Sequence, residues 1–170
     1  MKEQTYHSLR QLVGLMLTGS TRAADMECLK FGEQAIVDRS GELYNIGEFA
    51  LHLQCPWRIT SSEKLLVGSS DLYEPADGIS DADEDFDWEI IGNNLRDVRL
   101  QQLLIQSKIV EAVETDAYGG FSLFLSQDLV FSAFPSYSKN DEYHEYWRLL
   151  DNREGPKPHI VVGPNGVEFC

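Results

Sequence analysis

Residues 49–59, FALHLQCPWRI, place a cysteine, a histidine and an arginine within eleven positions, and these residue types build nucleophilic or anion-binding sites. A catalytic pair would need the Cys55 thiol and the His52 imidazole in hydrogen-bond contact, because the imidazole must remove the thiol proton. The segment has the composition of a β-strand, and side chains three positions apart in a strand point to opposite faces. We therefore predict that His52 and Cys55 do not act as a pair.

The two faces of this predicted strand differ in composition. The first is typical of a buried sheet surface, with the cysteine as a small hydrophobic residue. It carries Phe49, Leu51, Leu53, Cys55 and Trp57. The second carries His52, Gln54 and Arg58, which either line a polar groove or make ordinary contacts on a half-exposed sheet face. Pro56 cannot donate a ladder hydrogen bond, so the strand lies at a sheet edge or ends near Trp57.

Acidic residues are concentrated in the middle of the chain. Residues 65–95 contain no lysine or arginine and nine carboxylates: Asp71, Glu74, Asp77, Asp81, Asp83, Glu84, Asp85, Asp87 and Glu89. The alternate spacing of three of them is similar to the start of a calcium loop, but Phe86 stands at the glycine position and Gly92 at the final glutamate position. We expect no EF-hand, and a loose divalent-cation site remains an alternative.

This cluster of carboxylates predicts a recognition surface for a basic protein. A dense negative patch steers a cationic partner, and aromatic residues within it supply apolar contact area. The predicted partner-binding residues are Asp81, Asp83, Glu84, Asp85, Phe86, Asp87 and Trp88. A solvated surface loop without a partner is the alternative.

Composition limits the class of protein and its partners. The 170 residues, 42% hydrophobic, predict one domain over residues 1–170. With 28 acidic and 14 basic residues, the net charge of -14 argues against binding to nucleic acid or to a membrane surface. The apolar run LVGLML at 12–17 predicts neither a signal peptide nor a membrane span, so we expect a cytoplasmic protein. Cys28, Cys55 and Cys170 form no CxxC pair, which favours reduced thiols.

Periodicity predicts an α+β fold with a mainly antiparallel sheet and two or three short helices. Tyr6, Leu9, Val13 and Met16 predict an opening amphipathic helix that ends near Gly19. A meander of strands follows in ECLKF, QAIVD, ELYNI, FALHLQCPW and KLLVG, and three more strands lie in KIVEAVETD, FSLFLS and LVFSAF.

The remaining elements are predicted from local signals. NNLRDVRLQQLLIQ predicts a helix capped by Asn93 or Asn94. The spacing of Tyr143, Trp147 and Leu150 fits a short helix, although YWRLL fits a strand equally well. HIVVGPNGVEF predicts a hairpin with its turn at Asn165-Gly166.

Signatures of catalysis are sparse. The sequence has no GxSxG, P-loop, GxGxxG or HExxH motif, and we predict no cofactor and no catalytic residue. A metal site of two histidines and carboxylates drawn from Asp141, Glu142, His144, Glu145 and His159 is an alternative to ordinary local hydrogen bonding.

Four short motifs resemble a family of uncharacterised bacterial proteins. They are ALHLQCPWRI at 50–59, GSSDLY at 68–73, FDWE at 86–89 and NLRD at 94–97, and the likeness covers about the first 100 residues. This resemblance implies no established activity. In size, acidity and lack of catalytic motifs the chain is also similar to immunity proteins of bacterial toxin systems, which implies a role as a toxin inhibitor.

The sequence therefore favours a non-catalytic acidic binding protein, such as an immunity or inhibitor protein that neutralises a basic toxin or enzyme. The alternative is a small-molecule-binding protein or enzyme with a polar pocket. That pocket would be lined by His52, Gln54, Arg58, Asp71 and Tyr73.

Overall fold

The computed structural model describes residues 1–37, 39–139, 144–153 and 159–170. Within these residues the main element is an 11-stranded sheet in which every paired strand is antiparallel to its neighbour. A separate two-stranded hairpin and short helical segments accompany it. The prediction of a mainly antiparallel sheet with few short helices is confirmed.

The helical segments and strands have the following bounds. The α-helices are α1 Lys2–Leu9 and α2 Leu95–Leu104, and 3-10 turns cover Arg10–Leu12 and Ser69–Tyr73. The strands are β1 Met16–Ala23, β2 Met26–Phe31, β3 Ala35–Val37, β4 Leu43–Asn45, β5 Phe49–Leu53, β6 Trp57–Thr60, β7 Leu65–Gly68, β8 Lys108–Thr115, β9 Phe121–Leu125, β10 Leu129–Ala133, β11 Trp147–Asp151, β12 Ile160–Gly163 and β13 Gly166–Phe169.

The large sheet must curl strongly. Its strand order is β13-β12-β11-β5-β2-β1-β8-β9-β10-β6-β7, with β3 and β4 pairing apart from it. In a flat sheet β5 and β6 would lie about 29 Å apart, at about 4.8 Å per strand. The connection from Leu53 to Trp57 can span only about 14 Å. The two halves of the sheet therefore face each other, and the core lies between them.

Aromatic side chains fill the space between the two halves. Trp57 stacks on Phe131 with ring centroids 5.6 Å apart, and Phe121 meets Trp147 edge to face at 5.2 Å. The Trp147 indole also donates a 2.8 Å hydrogen bond to the carbonyl of Gly119, so its one polar atom is satisfied inside the core. The inward face predicted for residues 49–57 is buried along its whole length.

The predicted opening helix is too long. Helix α1 ends at Leu9, a 3-10 turn reaches Leu12, and β1 begins at Met16. Gly14 adopts a φ of +88° between them, which turns the chain out of the helical direction. The apolar residues Val13 and Met16 are exposed, so the helical spacing of the apolar residues arose by chance there.

The predicted strand at 49–57 is two strands. Strand β5 ends at Leu53 and β6 begins at Trp57, with a turn between them at the proline. The amides of Gln54 and Cys55 both donate to the carbonyl of Tyr146, at 2.9 and 3.0 Å. His52 and Arg58 therefore lie in different halves of the sheet and do not share one strand face. The predicted meander is also wrong, because β3 and β4 form their own hairpin and β2 pairs with β5.

Other local predictions fit the structure with small changes. Asn94 caps α2 as predicted. Four of the five residues of YWRLL lie in strand β11, while Tyr143 lies outside the described residues. In the last hairpin Gly163 pairs with Gly166, so the two-residue turn is Pro164-Asn165, one position earlier than predicted.

The turn between β9 and β10 carries backbone strain that can be removed. Gln127 and Asp128 have φ values of +67° and +56°, and this region costs a residue with a Cβ roughly 1 kcal/mol. We expect Asp128→Gly to raise the free energy of unfolding by about 0.5 kcal/mol, because relief of strain exceeds the added entropy of the unfolded chain. Ala117→Gly, in the β8–β9 connection and without a positive φ, should lower it. Urea denaturation measures both, and equal effects of the two would contradict the explanation.

Candidate functional site

The start of helix α2 organises a buried cluster of charges. The Asn94 side chain accepts a 2.9 Å hydrogen bond from the Asp97 amide and donates one of 2.7 Å to the Asp97 carboxylate. This capping arrangement satisfies an amide at the helix start and fixes the carboxylate in place. Asn94 and Asp97 are both buried.

Arg22 on strand β1 completes the first ion pair. Its Nε donates to the Asp97 carboxylate at 3.0 Å, its Nη1 to Glu89 at 2.9 Å and its Nη2 to the carbonyl of Trp88 at 2.5 Å. The side chain is only 7% exposed. Burial opposes its charge, but the hydrogen bonds and charges of Asp97 and Glu89 outweigh this and raise the pKa of Arg22. The guanidinium thus remains cationic and joins three separate parts of the chain.

Arg96 on α2 and Glu27 on β2 form a second, deeper ion pair. Their side chains are 1% and 2% exposed, and the Arg96 Nε lies 3.4 Å from the Glu27 Oε2. The contact lacks hydrogen-bond geometry, so it is mainly electrostatic. Burial raises the pKa of Glu27 to about 7, although the charge of Arg96 opposes that shift. Glu27 therefore gains and loses its proton near neutral pH.

The other contacts of Arg96 are few for a buried guanidinium. Its Nη1 donates to the carbonyls of Asp25 and Ser69, at 3.2 and 3.3 Å. Its Nε and Nη2 have no hydrogen-bond partner among the described residues. The guanidinium carbon lies 5.9 Å from the centroid of the Trp57 ring, a distance at which a cation–π attraction acts. Two donors of a charged group are thus left without a hydrogen-bond acceptor.

The acidic loop, residues 76–93, projects from this cluster. Its base is closed by hydrogen bonds from Ala76 N to Asn93 O and from Leu95 N to Glu74 O, both 2.8 Å. The loop has seven carboxylates, all exposed: Asp77, Asp81, Asp83, Glu84, Asp85, Asp87 and Glu89. Arg22 binds the loop near its C-terminal end. The loop is therefore attached firmly at its base and carries its negative charge outward.

The two predicted aromatic anchors contact each other. Phe86 and Trp88 meet edge to face with centroids 4.6 Å apart, and both are half-buried. The large apolar residues that the loop exposes most are instead Ile90 and Ile91, which are 51% and 66% exposed, with Ile79 at 38%. Sequence reasoning missed this isoleucine pair, whose signal was two adjacent large apolar residues in a strongly polar segment.

The residues of the alternative pocket do not form one site. His52 pairs across the sheet with Cys28 and Arg148, and burial with the charge of Arg148 lowers its pKa. Arg58 lies 5.4 Å from the Phe134 ring and lines a groove of about 330 Å³.

The other three predicted pocket residues lie in the β5–β6 connection or in the 3-10 turn Ser69–Tyr73. Asp71 accepts a 3.0 Å hydrogen bond from the Gly68 amide and pairs with Arg99 at 3.3 Å. Gln54 donates to the Glu145 carboxylate. Gln54 and Tyr73 do come together, because both line a cavity of about 130 Å³ that Arg96 also lines.

The alternative metal site is described only in part. Asp141 and Glu142 lie outside the described residues. Glu145 pairs with Arg148 at 2.5 Å, and the His144 ring meets the Tyr137 ring at 5.0 Å. Within the described ranges, no cluster of three or more histidine, cysteine or carboxylate side chains could hold a metal ion.

The three cysteines are free thiols. Burial raises the pKa of Cys55 to about 12, so this thiol stays protonated at neutral pH.

Among the described residues, no helix has both the length and the apolar character needed to cross a membrane.

The chain was compared with protein-family models, curated proteins and solved structures. None of the three comparisons found a match. The interpretation of its function therefore rests on its own residues.

Among the charged residues of the cluster, Glu27 carried a signal in the sequence. It alternates with Leu29 and Phe31 in ECLKF, and this period of two places a carboxylate on the buried face of β2. Arg22 carried no such signal, because its partners are 67 and 75 residues away in the chain.

The raised pKa of Glu27 predicts a pH-dependent stability. The folded protein binds this proton more tightly than the unfolded chain, so the stabilisation is complete below about pH 4.5 and is lost as the pH rises through about 7. Glu27→Gln removes the titration. We expect its free energy of unfolding to rise relative to the wild type between pH 5 and 8, by an amount on the order of 3 kcal/mol.

Denaturant unfolding at several pH values measures this difference. The exposed Glu111→Gln variant is the control for a change of one carboxylate to an amide. If the free energies of unfolding of Glu27→Gln and wild type differ by a constant amount between pH 5 and 8, the buried carboxyl does not titrate in that range.

Proposed function

We propose that the protein is a non-catalytic acidic binding protein that neutralises a basic protein, as an immunity or inhibitor protein does. The observation that carries the proposal is the acidic loop, whose seven carboxylates are all exposed. Backbone hydrogen bonds close the base of the loop, and the buried Arg22 holds its C-terminal end. A patch of this kind attracts a cationic surface and presents it with a defined shape. A cytoplasmic location belongs to the same proposal.

Few of the negative charges of the loop are paired with cations among the described residues of the protein. Among the described residues, Arg22 is the cation that pairs with the loop, and it is 7% exposed and already bonded to Asp97 and Glu89. The remaining loop carboxylates lie outside the reach of that buried guanidinium and face solvent. With a net charge of -14 for the chain, long-range attraction of a basic partner is strong at low salt.

Apolar contact area accompanies the negative charge. Ile90 and Ile91 are exposed beside the acidic positions, and Phe86 and Trp88 pack edge to face within the same loop. Protein interfaces combine a polar rim with an apolar centre that loses its water on binding. This arrangement supports a specific protein partner over general attraction of counterions.

The charge of the loop is tested by reversal at three positions. The triple variant D81K/D83K/D85K should lower the association rate with the partner at least tenfold while leaving the fold intact, because these side chains are exposed. The matched control E33K/E63K/E111K reverses three exposed carboxylates elsewhere and changes the net charge equally. Circular dichroism checks the fold of both variants.

The probe is a basic protein that immobilised wild-type protein retains from an extract of its own cells, purified before kinetics. Surface plasmon resonance at about 50 and 500 mM salt then gives the association rates, which should fall steeply with salt. Failure to retain any basic protein would contradict the proposal. The proposal would also be contradicted if both triple variants lost association rate equally, or if the association rate did not change between the two salt concentrations.

The isoleucine pair is tested through the dissociation rate. Ile91→Ser should speed dissociation several-fold with little change in association, because apolar contacts form after the electrostatic encounter. Ile105→Ser is the control, since Ile105 is 81% exposed and lies at the C-terminal end of α2, the opposite end of the helix from the loop. If both substitutions leave dissociation unchanged, the apolar part of the proposed interface is wrong.

A further inference from the structure

Strand β8 has a free edge over the second half of its length. Strand β1 pairs with it at only two positions, Lys108 and Ile109. The N–H and C=O groups of Val110 bond to the segment just before β1, at 3.0 and 2.8 Å. From residue 111 to residue 115 no described strand lies on that side, whereas β9 pairs with the other side as far as the end of β8. The large sheet is therefore open between β1 and β8 over these residues.

The hydrogen bonds of β8 show which backbone groups face the opening. The Asp116 N–H donates to the carbonyl of Gly120 at 3.0 Å, so the backbone of Asp116 is directed toward β9. Successive residues of an antiparallel strand direct these groups to alternate sides, so Glu114 is also directed toward β9. Val113 and Thr115 therefore turn their N–H and C=O groups toward the free edge. A row of such unpaired groups is a template for a further strand.

A groove with a volume of about 560 Å³ runs along this free edge. Helix α1 forms one wall and the end of β8 the other. The lining residues are Lys2, Glu3, Tyr6, Val113, Glu114 and Thr115. Consecutive side chains of a strand point to opposite faces, so a groove lined by three consecutive residues lies beside the backbone and not on one face of the sheet. The groove thus occupies the position that an added strand would take.

The side chains beside the edge indicate which sequence would add to it. Val113 and the ring of Tyr6, which is 42% exposed, offer apolar surface in the groove. Glu114 lies on the opposite face from Val113, is exposed, and has no ion-pair partner among the described residues. Residues directly opposite each other on antiparallel strands interact, and opposite charges in such pairs attract. A basic residue between two apolar residues is therefore complementary to the run from Val113 to Thr115.

We propose that this edge binds an extended peptide segment of another protein, which adds to the sheet as a strand antiparallel to β8. Main-chain hydrogen bonds to Val113 and Thr115 supply affinity, and a lysine or arginine opposite Glu114 supplies specificity. The outer edge of the sheet at β7 is bordered by Lys64 and Arg99, which repel such a segment. The site does not include the acidic loop and does not rest on the function proposed for that loop.

Backbone methylation separates strand addition from simple charge attraction. The probe is the peptide Val-Lys-Val-Lys-Val with acetyl and amide ends, and Val-Glu-Val-Glu-Val is its charge-reversed counterpart. A lysine opposite Glu114 forms a pair without mutual hydrogen bonds, whereas the valines beside it lie opposite Val113 and Thr115 and bond to them. N-methylation of the valines removes the bonding N–H groups, and N-methylation of the lysines leaves them in place.

Isothermal titration calorimetry measures the affinities of the four peptides. We expect the lysine peptide to bind with a Kd of about 1 mM or lower. The glutamate peptide and the valine-methylated peptide should bind at least tenfold more weakly, because one lacks the charge and the other the donors. The lysine-methylated peptide should bind nearly as well as the unmodified lysine peptide.

Hydrogen exchange resolved by residue with NMR locates the bound peptide. In the free protein the amides of Val113 and Thr115 should exchange faster than the amide of Glu114, which bonds to β9. Binding of the lysine peptide should slow exchange at Val113 and Thr115 at least tenfold, because their N–H groups then donate to the added strand.

Two variants test the side chains of the groove. Glu114→Lys should weaken binding of the lysine peptide at least tenfold and strengthen binding of the glutamate peptide. Its matched control is Glu63→Lys, at an exposed carboxylate in the β6–β7 turn. Tyr6→Ala should weaken binding several-fold, and Tyr73→Ala, at a tyrosine that is 66% exposed in the 3-10 turn, should not. Circular dichroism checks the fold of all four variants.

Other outcomes would overturn the proposal. Absence of saturation by the lysine peptide up to about 10 mM rejects the site. Equal binding of the two methylated peptides rejects strand addition. A loss of binding in D81K/D83K/D85K that equals the loss in Glu114→Lys places the peptide on the acidic loop. Protection of Val113 and Thr115 that appears without peptide and grows with protein concentration, together with a dimer in light scattering, assigns the edge to a second copy of the chain.

Discussion

The hydrogen-bonded ion pair between Arg22 and Asp97 is the constraint on which the packing around helix α2 depends. Both side chains are at least 92% buried, so neither can recover the water that it loses on folding. Removing one member of such a pair typically costs about 3 to 5 kcal/mol, because the other charge is left buried and unpaired. The pair therefore specifies where α2 lies on the first two strands, because a shifted helix would leave one buried charge without its partner.

The same cluster serves two surfaces of different chemistry. Arg22 reaches outward to Glu89 and the carbonyl of Trp88, and so it holds the acidic loop. Arg96, next to Asp97 on α2, turns toward the small cavity and Trp57. Two adjacent residues of α2 thus have different roles, because Asp97 binds Arg22 and Arg96 lies on the side of the cavity. One side of the cluster supports an exposed negative surface, and the other holds a buried cation between Glu27 and the ring of Trp57.

Local patterns predicted the strands well and the site poorly. Alternation in FSLFLS and LVFSAF reports which side chains face the core, and the Asn94 cap follows from one residue and its neighbours. The proline at position 56 turns the chain between two halves of a sheet, so His52 and Arg58 separate although they are close in sequence. The partnership of Arg22 with Asp97 depends on a tertiary approach that no local pattern encodes.

The position of strand β11 has a consequence for how the chain reaches its native state. It pairs with β5 through contacts such as Phe49 with Asp151, about a hundred residues apart in sequence. Closing so long a loop costs entropy before any contact is gained, so topologies of this kind fold slowly. During synthesis, the edge of β5 that pairs with β11 keeps its backbone N–H and C=O groups unpaired until residues 147–151 leave the ribosome. A nascent chain that pauses before that point exposes an edge strand that can pair with another chain.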